Sequence, residues 1–247
     1  MVSSNLNQVT AVILAGGFGT RIRHLLPNLP KPMAQVAGRP FLEWVVRYLA
    51  KQGIHNVIIS TGYLAGMVAD YFQNDPVKGI TTRCVAETVP LGTAGGFLNA
   101  IQANGQAPAA WLVLNGDSLV FAELASMIRC FSEPDVQGVI LGSAVPDTAR
   151  YGSLVRNGDG ALIGFAEKRP GAGVISAGVY LLRHALIERF PTGAPLSFEH
   201  DVFPLLLRQG VRLSVVEIDA PFLDIGTEET FSKAEGFIRQ NLSRFYV

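Results

Sequence analysis

Two aspartates and four cations stand where this 247-residue sequence passes from apolar runs into short polar turns. Asp117 and Asp224 each close an apolar run and precede a small polar or glycine turn. That position aims a carboxylate at a sheet edge rather than into a core. Two carboxylates, completed by phosphate oxygens and water, suit Mg²⁺. A turn or helix-cap aspartate is the plainer use of the same residue, and sequence separation alone does not unite the pair. The cations are Arg21, Lys31, Lys168 and Arg169. Lys31 is held between Pro30 and Pro32, and Lys168 follows a strand-like run. Phosphoryl or nucleotidyl transfer needs positive charge on oxygens whose charge grows in the transition state. Cations on constrained loops serve this better than cations on exposed helices, although each taken singly is also ordinary solvated charge.

The anion for such cations has a place in Leu14-Ala15-Gly16-Gly17-Phe18-Gly19-Thr20-Arg21. An apolar run over 9–14 reads as a buried strand and breaks into three glycines within four positions. Glycine permits positive φ and close approach of a ligand to the main chain. Successive free N–H groups in such a turn form a concave anion site, and Arg21 adds a planar fork suited to phosphate oxygens. The P-loop pattern fails, because no Lys-Ser or Lys-Thr follows. The dinucleotide pattern fails because Ile22 takes the place of its third glycine. A tight strand-to-helix connection remains the alternative.

Glu87 follows a third strand-like run and precedes Pro90-Leu91-Gly92-Thr93-Ala94-Gly95-Gly96. Gly92, Gly95 and Gly96 would remove side chains that block a flat ring, which suggests a base or sugar pocket; a helix start with packing glycines is the alternative. Ser197 to Asp201 reads as a helix start with Ser197 as N-cap and acids in the first turn. His200 has no Cys or His at metal-ligand spacing. No Gly-x-Ser-x-Gly elbow is present.

The elements that must position these residues alternate. Strands are predicted at 9–14, 56–61, 80–86, 110–114 and 136–144, with helices at 41–52, from Gly62-Tyr63 through 72, at 94–103, and from just after Asp117 to 131. Prolines 27, 30 and 32 exclude regular helix between. The alternation argues for a doubly wound, largely parallel sheet, in which ligands bind beyond the carboxyl ends of strands. The glycine loop, Glu87 and Asp117 each follow a strand and could converge on one edge. From 151 to 169 the pattern turns to a hairpin, with strands at 152–156 and 161–166 and a turn at Asn157-Gly158-Asp159-Gly160, where Asn-Gly is the signal. A strand at 174–182, short helices at 184–189 and 199–209, strands at 211–218 and 222–227, and a closing helix from 228 to about 242 complete the chain. Thr227 is its predicted N-cap.

With 49% hydrophobic residues the chain can bury one sizeable α/β core. Twenty basic and twenty acidic residues cancel, so no basic field points to nucleic acid. No apolar run approaches the roughly 20 residues of a membrane span, and the N-terminus lacks a basic-then-apolar signal pattern. Cys84 and Cys130 read as buried thiols and fit a reducing cytoplasm. A homo-oligomer is left open.

Taken together, the chain resembles the sugar-1-phosphate nucleotidyltransferases, or sugar-nucleotide pyrophosphorylases. The resemblance rests on the segments 14–21, Pro30-Lys31-Pro32-Met33, 90–95, Asn115-Gly116-Asp117, Phe165-Ala166-Glu167-Lys168, Ser176-Ala177-Gly178-Val179-Tyr180 and Asp224-Ile225-Gly226-Thr227, in the family's order. It implies a Rossmann-like α/β fold with a mostly parallel mixed sheet and a small β-rich sugar-binding extension. It implies one domain: a nucleotide-binding half over about 9–145, a sugar-phosphate half over about 146–226, and a C-terminal helix over 227–247. The implied reaction is NTP plus sugar 1-phosphate giving NDP-sugar and pyrophosphate with Mg²⁺, in surface-polysaccharide precursor synthesis. By motif match, Arg21 holds the leaving β,γ-phosphates and Lys31 the α-phosphate region. Asp117 and Asp224 bind Mg²⁺, Lys168 binds the attacking sugar phosphate, and Glu167 a sugar hydroxyl. The nucleotide side is implied to include Leu14, Ala15, Gly16, Gly17, Gly19, Thr20, Glu87, Pro90, Gly92 and Thr93. The sugar-phosphate side is implied to include Asn115, Gly116, Tyr151, Gly152, Ser176 and Gly178. One departure stands out: Ser176 occupies the position of a family asparagine.

Glu87 bears on the base. A carboxylate can accept from guanine N1–H and its amino group together, whereas uracil and thymine offer one such donor, N3–H. With 90–93 and the segment Ser197-Phe198-Glu199, the chain looks most like guanylyltransferases of manno-configured 1-phosphates, D-glycero-D-manno-heptose above all. Uridylyl- or thymidylyltransferases of glucose or N-acetylmuramic acid 1-phosphate are the rival enzymes. A catalytically silent nucleotide-sugar-binding regulatory subunit is the alternative from another class.

Overall fold

Each long apolar run becomes a strand of one sheet. The computed structural model describes residues 8–105, 107–149, 153–166 and 168–246. The first half carries β1 (Val9–Ala15), the short pair β2 (Gln35–Val36) and β3 (Arg39–Pro40), α1 (Phe41–Lys51), β4 (Asn56–Thr61), α2 (Ala65–Asn74), β5 (Thr81–Ala86) and α3 (Gly92–Gln102). Then come β6 (Ala110–Asn115), β7 (Ser118–Val120), α4 (Leu124–Phe131), β8 (Gly138–Val145), β9 (Ser153–Arg156), β10 (Leu162–Ala166) and β11 (Gly173–Arg183). A π-helical turn (Phe198–Val202) leads into α5 (Phe203–Arg208), followed by β12 (Leu213–Ile218), β13 (Phe222–Asp224) and α6 (Glu228–Gln240).

The central sheet has the order β12-β8-β11-β6-β1-β4-β5. β11 runs antiparallel to both neighbours, β6 and β8; the other pairs are parallel. This is the mostly parallel mixed sheet that the strand–helix alternation predicts. Side chains alternate across it with the period of two that a strand imposes. Along β6, Leu112 and Leu114 face a core with α1, α4 and α6, while Trp111 and Val113 face a second core with α3 and α5. Trp44, Trp111, Phe97 and Phe198 are fully buried in these layers. Each such side chain contributes about 1.5–3 kcal/mol or more by leaving water.

Helix α1 also buries a charge. The Glu43 side chain is 1% exposed and accepts from Arg39 Nη1 at 2.7 Å and Arg47 Nε at 2.6 Å. Tyr71 of α2 donates its hydroxyl to the same carboxylate. Burial, and after it the Glu43 carboxylate, raise the Tyr71 phenol well above its ordinary pKa.

The structure departs from expectation in two of these elements. The residues after Asp117 do not enter a helix; Ser118-Leu119-Val120 first pairs antiparallel with β13, and helix begins at Leu124. The hairpin β9–β10 forms, with its turn over 157–160 as expected. Asn157 Oδ1 accepts from the amides of Asp159 (3.1 Å) and Ala161 (2.9 Å), and Gly160 takes the left-handed conformation at φ +76°. The helix predicted over 199–209 starts instead as the π-helical turn, with Ser197 Oγ accepting from the His200 amide at 3.3 Å.

Thr227 caps α6 in a reciprocal capping box with Thr230. Cys84 and Cys130 are free, and burial pushes the Cys84 thiol up to about 11. No helix among the described residues is long and apolar enough to cross a membrane.

Candidate active site

Parallel register sets the site. Leu14 lies level with Asn115, Ala15 with Thr61, and Thr61 with Ala86. The next residues, Gly16, Gly116-Asp117, Gly62 and Glu87, therefore emerge along one carboxyl edge of the sheet. The predicted convergence holds.

Close packing rather than free space explains two loop glycines. A Cβ on Gly16 would stand 2.6 Å from Glu87 Oε1, and one on Gly62 would stand 2.5 Å from the Gly16 carbonyl oxygen. Only Gly19 of the loop takes positive φ, +58°. It lies against Lys31, where a Cβ would come within 2.8 Å of the lysine Cβ.

A cavity of about 330 Å³ opens above this loop. Leu14, Ala15, Gly16, Gly17 and Phe18 line one wall, and Glu87 with Pro90 to Thr93 line another. Glu87 is held in place: Ser60 Oγ lies 3.1 Å from Oε1, and the Leu91 amide donates to Oε2 at 3.1 Å. The glycines of the following turn do not clear space for a ring as predicted. A Cβ on Gly92 would meet the Leu196 carbonyl oxygen at 2.4 Å, one on Gly95 the Leu91 Cβ at 3.0 Å, and one on Gly96 Glu87 Oε1 at 2.5 Å. They let protein approach protein, and only Gly92 of the three lines the cavity.

A second cavity of about 360 Å³ adjoins it. Gly19, Thr20, Arg21, Ser176, Gly178 and Asp224 contribute to its wall, together with Glu199 and Phe222. Lys31, Asn115 and Asp117 line both cavities. Lys31 Nζ donates to Asp117 Oδ2 across this shared wall. Two tertiary contacts bring in Asp224. The β7–β13 register sets it opposite Ser118, and the Ile225 amide donates to the Asp117 carbonyl at 2.9 Å. The Asp224 carboxylate accepts from the Gly226 amide at 2.9 Å.

Some sequence-derived residues stand elsewhere. Gly116 is buried beneath the wall, where its amide donates to the Leu14 carbonyl at 2.8 Å and a Cβ would approach that oxygen to 2.9 Å. Lys168 is exposed on the segment leaving β10 and lines neither cavity. Tyr151, Gly152 and Glu167 lie outside the described residues.

Glu199 is the residue that reading the sequence as a helix start passes over. It enters the second cavity from the π-helical turn and accepts from Tyr180 Oη at 3.4 Å. Tyr180 is buried, which raises its phenol far above its ordinary pKa and keeps it a donor. Ser176 Oγ lies 3.4 Å from the same hydroxyl and accepts from the Gly178 amide at 3.3 Å. No periodicity or turn rule marks Glu199; an acid in the first turn of a helix is common for dipole reasons alone.

A glycine loop, a fixed carboxylate over one cavity, and a cation–carboxylate wall shared with a second cavity fit a nucleotide-binding α/β transferase class. Within it, the nucleotidyl transferase family model matches residues 10–241, and the chain belongs to that family. It is 34% identical over 226 residues to the D-glycero-alpha-D-manno-heptose 1-phosphate guanylyltransferase of Aneurinibacillus thermoaerophilus, covering 91% of this chain and 96% of the relative. It is 34% identical to the mannose-1-phosphate guanylyltransferase of Mycobacterium tuberculosis, where 91% of this chain spans 63% of the longer relative. The crystal structure of HddC from Yersinia pseudotuberculosis complexed with GMP-PN superposes with a TM-score of 0.80 at 34% identity, covering 92% of this chain and 98% of HddC.

Proposed function

We propose that this chain transfers a guanylyl group from GTP to a manno-configured sugar 1-phosphate, with D-glycero-D-manno-heptose 1-phosphate favoured over mannose 1-phosphate. The carrying observation is that Lys31, Asn115 and Asp117 line both cavities. Two substrates seated one in each would meet at that wall. The sugar phosphate oxygen attacks the α-phosphorus there, the bond to the β-phosphate breaks, and pyrophosphate leaves. The attacking phosphate is already ionised, so no general base is required, and catalysis is alignment plus charge neutralisation.

In this reading the glycine loop cradles the phosphates, Arg21 holds the departing pair and Lys31 the α-phosphate. Lys168 binds the attacking sugar phosphate and Glu167 a sugar hydroxyl, with Tyr151 and Gly152 assigned to the sugar phosphate. Glu87 reads the base. Its two oxygens each hold one protein donor, which fixes the plane of the fork and leaves a lone pair on each for guanine. Ser176, Gly178 and Glu199 face the sugar, with Asn115 between the substrates.

Asp117 and Asp224 fit Mg²⁺. No group of three or more His, Cys, Asp or Glu at metal-ligand placement occurs among the described residues. Two carboxylates on a phosphate cavity form the donor set of a magnesium that keeps substrate oxygens and water. When bound, the ion would neutralise charge on the triphosphate. The chain reads as one domain, with a nucleotide half over about 9–145, a sugar half over about 146–226 and the C-terminal helix over 227–247. The sheet shared by both halves supports this. The relatives named as guanylyltransferases of heptose and mannose 1-phosphates support the choice of substrates.

A pyrophosphate-release assay crossing four NTPs with a panel of sugar 1-phosphates tests the proposal. GTP with a manno-configured 1-phosphate is expected to turn over fastest. Equal turnover with UTP or dTTP would remove the base argument, and no turnover with any pair would favour a nucleotide-sugar-binding subunit.

A further inference from the structure

The carboxylate over the first cavity and the carboxylate in the second are joined by a short run of hydrogen bonds. The Leu91 amide donates to Glu87 Oε2 at 3.1 Å. The Leu91 carbonyl accepts from the Leu196 amide at 2.8 Å, and the Leu196 carbonyl accepts from the amides of Ala94 (2.9 Å) and Gly95 (3.2 Å). The Phe198 amide then donates to Thr93 Oγ1 at 3.0 Å. Gly92, at φ +76°, permits this approach, since its Cβ would overlap the Leu196 carbonyl. Glu199 is the next residue, and it lines the second cavity.

The segment is backed by a rigid apolar layer. Phe198 is fully buried, with ring centroids 5.6 Å from Phe97 of α3 and 5.2 Å from Tyr180 of β11. Tyr180 in turn donates to Glu199. Two first-turn amides of α3, those of Ala94 and Gly95, are spent on Leu196 rather than on a ligand. A shift of Leu91 toward a base bound at Glu87 must therefore carry Leu196 and Phe198 with it, or break main-chain bonds in a packed site.

We propose that residues 91–93 and 196–198 act as one strap that couples base occupancy to the sugar cavity, with Thr93 as the positioning residue that ties Glu199 to the base loop. This rests on the assignment of the two cavities given above. Coupling through packed elements needs direct thermodynamic demonstration, and linkage makes it reciprocal.

The test uses guanosine, which carries the base without phosphates, and mannose 1-phosphate in metal-free buffer, so that the ligands share no cation. Calorimetry on the full chain should show saturating guanosine tightening mannose 1-phosphate by about fivefold or more, the lower range of allosteric coupling. In Thr93→Val, which keeps volume but leaves the Phe198 amide without its acceptor, that factor should fall toward one. Thr93→Ser restores the acceptor and should restore the factor. An unchanged factor in Thr93→Val, or equal loss of guanosine affinity with and without the sugar phosphate, overturns the strap. Should Thr93→Val not fold, hydrogen exchange on the wild type decides: guanosine must slow the amides of 196–203, and unaltered exchange there overturns the proposal. If uridine or thymidine binds in place of guanosine, the base assignment fails and the same linkage is measured with that nucleoside. If no nucleoside binds, both fall.

Discussion

Glu43 and Asp117 are both carboxylates paired with cations, and they do opposite work. Glu43 is 1% exposed, sits in the first turn of α1 and is enclosed by Arg39, Arg47 and the Tyr71 hydroxyl. Arg47 is on its own helix and Arg39 stands two residues before that helix, each four positions from Glu43, so local spacing already brings them together. Asp117 is 33% exposed, meets Lys31 across a long sequence gap and stands on the wall between two cavities. A carboxylate 1% exposed and enclosed by two guanidinium groups and a hydroxyl can hold structure but presents no open face to a ligand. A half-exposed one with a single cation beside it can trade that partner for a ligand. Enclosure, rather than charge pairing itself, separates the Glu43 cluster from the Lys31–Asp117 pair.

The sharpest way to break this comparison is to remove both acids. Asp117→Ala should lower pyrophosphate release by about 10³-fold, or about 4 kcal/mol of transition-state stabilisation, with Tm within about 3 °C of wild type. Near-normal turnover would put Asp117 in the structural class. Glu43→Ala leaves two guanidinium groups and a hydroxyl beside an empty site. A loss of about 3–5 kcal/mol is expected, seen as a Tm lower by about 10 °C, while kcat of the folded protein at 20 °C stays within about twofold. A large fall in kcat without loss of Tm would sink the distinction.

The smallest effect belongs to Tyr71→Phe, which removes one donor and should cost about 1 kcal/mol. Its pH dependence has a definite sign. The folded state raises the Tyr71 phenol above its ordinary value of 10.0, chiefly by burial. Above that pH the unfolded chain has released a proton that the folded chain still holds, so stability falls as pH rises. Denaturant titrations from pH 9 to 11 should show wild type losing stability faster than Tyr71→Phe. Parallel profiles would remove Tyr71 from the cluster's energetics.

Much of the nucleotide side was legible in the sequence. Strand ends are read from apolar runs, and parallel neighbours put those ends on one edge, so Gly16, Glu87 and Asp117 could be expected to converge before any coordinates. The sugar side was less legible. Glu199 looks like any acid in a helix start, and the turn glycines 92, 95 and 96 look like clearance for a ligand until Leu196 and Glu87 are seen against them. The hairpin with its turn over 157–160 was legible too, because Asn and Gly mark a turn locally.

Sequence alone therefore determined what is local: the strands, the glycine loop at the end of β1, and the Thr227 cap. Tertiary structure alone decided which of those groups share a wall. Asp224 reaches Asp117 because β13 pairs with β7 in one register, and Lys31 reaches Asp117 because its loop packs on Gly19. The cost of closing a chain segment grows only slowly with its length, so distance along the sequence says little about who meets whom. That is settled by strand register and by close packing, which depend on partners far away in the chain.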